Sequence, residues 1–163
     1  MTVGTVVLAG VLPVEHVALD LLVAEFGWSL REASSIAQVA ELNATNNLVT
    51  VLFSPQDLAL PWDQALRALL RVAPEALPIL CHGFADAIDW PQLAEAGVFH
   101  SLLLPFDMGE VRQSLGFVRQ AKLRQAATAT RDLQELEKAV KADVGEHPEF
   151  SAEAPMIVPA KTG

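Results

Sequence analysis

Few residues in this chain have a type and spacing that could do chemistry. Cys81 and His82 are adjacent and suggest a nucleophile beside its base. Successive side chains of a strand point to opposite faces, however, so Cys81 reads better as a buried structural thiol. The four histidines are His16, His82, His100 and His147. No two stand at i, i+4, and no cysteine joins them into a zinc pattern. A phosphate-binding turn after the first strand would need several glycines. Gly10 stands alone there, followed by Val11, Leu12 and Pro13, and neither GxGxxG nor a P-loop occurs. No metal or other cofactor is expected, and no catalytic residue.

The bulk composition narrows the choice further. The chain has 163 residues, 52% of them hydrophobic and 19% charged, enough for one domain with a core and an appendage. A net charge of −9 leaves no basic patch to displace counterions from nucleic acid or to meet an anionic membrane. Cys81 is the only cysteine, which excludes an intramolecular disulfide and points to a reducing cytoplasm. The N-terminal stretch has no Lys or Arg before Arg31, and Glu15, His16 and Asp20 interrupt it, so a signal peptide is not expected. No apolar run approaches the ~20 residues of a membrane span.

Any such residues must be positioned by alternating strands and helices. Thr2–Ala9 is a β-branched run and predicts a buried strand. Pro13 opens a helix to about Phe26, and Gly27 ends it. Trp28–Ala33 predicts a second strand, Ser34 or Ser35 caps a short helix through about Asn43, and Leu48–Phe53 predicts a third strand. A helix over Trp62–Val72, a strand over Leu77–Cys81, a helix over Asp86–Ala96 and a strand over Val98–Leu103 follow. Five β/α units with apolar strands imply a parallel sheet covered on both faces, with right-handed crossovers.

The last helix opens after Asp107, and its pattern persists to about Ala142. Val111, Leu115 and Val118 form one apolar seam, and Leu133, Leu136 and Val140 another, out of phase by four residues. The Ala-rich middle carries Lys122 where a seam residue would fall. A coiled coil and a single exposed helix both fit. Residues 126–145 are expected to be a helical extension. Residues 146–163, with three prolines, are expected to be a disordered tail.

The most specific stretch is Ala96–Phe106, AGVFHSLLLPF. An Ala-Gly pair ends a helix, a short apolar strand follows, and Pro-Phe opens the last helix. The stretch resembles the signature that closes the receiver domains of response regulators, and the likeness covers about residues 3–125. The resemblance implies a flavodoxin-like, receiver-type fold over residues 1–125 and a place in two-component signalling. It also implies where receiver chemistry would lie. The acidic pair that holds magnesium in active receivers falls on Ala9 and Gly10, or on Gly10 and Val11. The acceptor aspartate falls near Phe53 or Ser54. The Ser or Thr of the fourth strand falls on Cys81 or His82, and the aromatic switch of the fifth strand on Ser101. The lysine before the proline is Leu104, and Leu104–Pro105 would carry a cis peptide bond. One alternative acceptor exists, because Asp57-Leu58-Ala59-Leu60-Pro61 resembles the family's D-L-x-M-P pattern.

These departures change one property. A hard dication needs oxygen ligands, and phosphoryl transfer depends on positioning and charge stabilisation. The expectation is a pseudo-receiver: not an enzyme, but a protein-interaction module that works without aspartyl phosphorylation. By resemblance its partner face is the fourth helix, fifth strand and fifth helix, with Trp90, Phe99, His100 and Met108. The long helix would form a homodimer or transmit to a protein partner. Other readings are an atypical phosphoacceptor using Asp57, or a small-ligand sensor or hydrolase in a crevice lined by Gly10, Ser54, His82 and Leu104.

Overall fold

Runs of branched aliphatic residues lie between short amphipathic segments, and this alternation builds the sheet. The computed structural model describes residues 3–10, 16–83 and 86–157, with side chains up to residue 142. In chain order the elements are β1 (Gly4–Ala9), α1 (His16–Glu25), β2 (Ser29–Ala33), α2 (Ile36–Thr45), β3 (Asn47–Phe53), α3 (Trp62–Val72), β4 (Leu77–His82), α4 (Trp90–Ala96), β5 (His100–Leu103) and α5 (Met108–Ile157). The strands are all parallel, in the order β2-β1-β3-β4-β5. This is the doubly wound flavodoxin-like order, with its switch point between β1 and β3.

The period of two along each strand divides the core into two layers. Val7 and Ala9 of β1 join Val51 and Phe53 of β3, against Leu66 and Leu69 of α3. Val6, Leu8 and Leu52 face the other way, onto Leu19 and Leu22 of α1 and Val111, Leu115 and Val118 of α5. The first seam predicted on α5 is therefore the one that packs on the sheet. Gly4 has a steric reason: a Cβ there would lie 2.6 Å from Cδ1 of Trp28.

Local signals set several boundaries. Ser35 caps α2 by accepting from the Gln38 N–H at 3.2 Å, while the Gln38 side chain accepts from the Ser34 N–H at 2.7 Å. Asp107 accepts from the N–H groups of Gly109 and Glu110 at the start of α5. Several strand ends shift by one or two residues, β5 for instance starting at His100 and not at Val98, and two boundaries depart further. The fourth helix begins at Trp90 and not at Asp86, because Asp89 caps it and Pro91, which lacks an N–H, suits only the first turn. Gly97, at φ +112°, ends it.

The second departure is α5, which runs to Ile157 through the segment expected to be disordered from residue 146. Glu and Ala, both good helix formers, are frequent between Pro148 and Pro155, and no glycine stands between Gly145 and Gly163 to end the helix. Residues 158–163 of that expected tail, and residues 13–15 of the expected first helix, lie outside the described residues. The chain divides into two compact units, Met1–Gln120 and Ala121–Gly163. Among the described residues no helix is long and apolar enough to cross a membrane.

Candidate functional site

The carboxyl ends of the parallel strands converge where a doubly wound sheet places its ligands. At the end of β1, Ala9 is fully buried in the first core layer. Gly10 follows at φ +74°, and its N–H donates to the Ala33 carbonyl at 2.9 Å. A Cβ on Gly10 would stand 2.9 Å from Cγ and 3.2 Å from the backbone nitrogen of Leu58. The loop after β3 thus leans on Gly10 and fills the space a side chain would need. Val11, the third candidate here, lies outside the described residues.

β3 ends with Phe53, whose ring is buried in the first core layer and does not reach the rim. Ser54 is the residue that does. It is itself buried, its N–H donates to the Ala9 carbonyl at 3.0 Å, and its carbonyl accepts from Leu58 at 3.1 Å. Asp57 sits beyond the strand in an exposed turn that continues through Ala59, which has a positive φ of 57°. It is a loop carboxylate and does not extend β3.

At the end of β4, Leu80 packs in the first core layer and Cys81 in the second. Burial pushes the Cys81 thiol far above its ordinary value, so it stays protonated and is a poor nucleophile. His82 follows on the opposite face, half-buried, with Nδ1 3.2 Å from the Gly83 carbonyl. The two side chains therefore do not face each other. On the far side Leu104 packs on the second layer and donates its N–H to the His82 carbonyl at 2.7 Å. The Leu104–Pro105 peptide is cis.

A cavity of about 520 Å³ opens beside this rim, with Ser54, Asp57, Trp62, His82, Asp86 and Leu104 in its walls. Gly10 is not among its lining residues, so the crevice expected around Gly10 lies instead toward β4 and α4. Among the described residues no lysine or arginine lines it, so they offer no cation to a phosphate. Its carboxylates are partly engaged. Asp86 accepts from the Gly83 N–H at 2.7 Å, and Asp89 caps α4. Among the described residues no group of three or more His, Cys, Asp or Glu side chains could hold a metal ion.

A second feature lies on α4, β5 and α5. The rings of Trp90 and His100 meet edge to face at 6.2 Å, and those of His100 and Phe117 at 6.0 Å. Trp90 and Phe117 keep 41% and 42% of their surface exposed. Of the four residues expected on this face, Trp90 and His100 come together. Phe99 precedes β5, and it and Met108 pack on the second core layer instead. Phe117 completes the row and was missed. Its signal was its place off the buried seam of Val111, Leu115 and Val118.

No protein-family model matches the chain, and no curated protein matches it. Solved structures do. The N-terminal signal receiver domain of a two-component response regulator from Bacteroides fragilis is similar with a TM-score of 0.61 at 16% identity, over 72% of this chain and 97% of that one. A CheY-like receiver domain protein from Methanospirillum hungatei JF-1 gives 0.57 at 11%, over 76% and 99%. The signal receiver domain of an HD domain-containing protein from Pseudomonas fluorescens Pf-5 gives 0.54 at 18%, over 76% and 93%. These matches, with the parallel five-stranded order described above, identify the fold of the matched part as that of response-regulator receiver domains.

Proposed function

We propose that this domain is a phosphorylation-independent receiver that acts by binding protein in a two-component-type pathway, without enzymatic activity of its own. The observation that carries this reading is the contact of Leu58 with Gly10. By resemblance Gly10 is one of the two positions that carry metal-binding acids in active receivers; it lies in the left-handed region, and the Leu58 side chain fills the space beside it. Leu104 adds no positive charge to offset a phosphoryl group. An acyl phosphate formed here would face neither a divalent cation nor an ammonium group, and those are the terms that make its formation favourable.

The row Trp90, His100 and Phe117 supplies the surface for binding. Half-exposed aromatic side chains bring large contact area at low entropic cost, and they dominate many interfaces. The test is incubation of the full chain with acetyl phosphate and magnesium, followed by intact mass measurement. The expected result is an unmodified mass. A phosphoryl adduct that disappears in Asp57→Asn would overturn the reading and assign Asp57 as an acceptor.

A further inference from the structure

The part of α5 beyond Gln120 keeps an apolar stripe. Leu133, Leu136 and Val140 are 62%, 61% and 55% exposed. They stand at i, i+3 and i+7, the a and d positions of a heptad, and the same frame carried backward meets Ala129 and Ala126. The positions flanking this seam, e and g, are Thr130, Asp132, Glu137 and Ala139. They hold two carboxylates and no cation. Arg131 and Lys138 fall on the far side of the helix, by the turn of 3.6 residues.

We propose that this seam seats a basic amphipathic helix of another protein, and not a second copy of this chain. In a parallel pair of copies Asp132 of one would face Glu137 of the other, and like charges oppose that register. An antiparallel pair sets e against e and g against g, and again brings no cation to a carboxylate. A partner with Leu or Ile at its a and d positions and Lys or Arg at its flanks satisfies both the stripe and its charges. The inference rests on the reading of this chain as a protein-binding module, and adds the chemistry of one partner.

The probe is a labelled synthetic helix, about three heptads long, with Leu at a and d and Lys at e and g. A control peptide carries Glu at e and g. Each is titrated with the full chain by fluorescence anisotropy, and the chain alone is sedimented at tens of micromolar. The expected results are a monomer, saturable binding of the Lys peptide, and binding of the Glu peptide weaker by about tenfold. Asp132→Lys with Glu137→Lys reverses that preference. Leu133→Asp with Leu136→Asp abolishes binding although it adds negative charge, which separates the seam from general attraction to an acidic protein.

Three results would overturn the proposal. They are a dimer that Leu133→Asp with Leu136→Asp dissolves, equal binding of the two peptides, or binding that survives those substitutions. None of these readouts depends on phosphorylation, so failure here and failure in the acetyl phosphate test are separate outcomes.

Discussion

Gly10 does more at the rim of the sheet than lack a carboxylate. Its φ of +74° is a conformation that side-chain-bearing residues adopt at a cost of about 1–3 kcal/mol, and the Leu58 side chain already fills the space where a Cβ would go. Gly10→Ala is therefore expected to lower stability by about 1–3 kcal/mol, read as a lower urea midpoint with an unchanged slope. An unchanged midpoint would mean that Leu58 yields freely and that the closed rim is not a constraint. Leu104, by contrast, was fully legible as a neutral aliphatic residue before Pro105. Its type alone decides that no ammonium group stands there. The contact of Leu58 with Gly10 was not legible, because it depends on how the loop after β3 folds back, and loop shape leaves no periodic trace in sequence.

Elements were legible where a pattern and a stop signal coincided. β1 and β3 read as apolar runs, α3 is stopped before Pro74, and Ser35 caps α2, each as expected. Two neighbouring acids made α4 hard to place, since Asp86 and Asp89 both suit a cap and only the structure shows Asp86 turned back to Gly83. The extent of α5 past Gly145 was obscured by its prolines. The row on α4, β5 and α5 needed tertiary placement, because Trp90, His100 and Phe117 are remote in sequence. Truncating its outer ring, Phe117→Ala, is expected to cost about 1 kcal/mol of stability, the worth of one aromatic contact. The same change should weaken capture of a partner that uses this face by tenfold or more. Thermal melting and a binding titration separate the two effects. A partner bound equally by both forms would move the interface elsewhere.

The unit Met1–Gln120 follows from two packing layers on one sheet, and the apolar runs of the strands imply both layers. Parallel strands buried on both faces, joined by right-handed crossovers, leave few topologies, of which the observed one places β3 at the centre, between β1 and β4. Half of this chain is hydrophobic, so its open borders matter as much as its middle. On one border lies β2, and the outward-facing backbone of an edge strand is a template for a neighbouring molecule's strand. Arg31 and Glu32 stand exposed there in succession, one on each face, and Glu32 also meets His16 at 3.4 Å. Such a pair makes stacking of identical chains in register place like charge over like charge. Replacing it, as Arg31→Val with Glu32→Val, is expected to convert a dispersed protein into one that scatters light and binds thioflavin on gentle warming. Against fibrils, then, the guard of this border is a doublet of opposite polar character on its outermost ribbon.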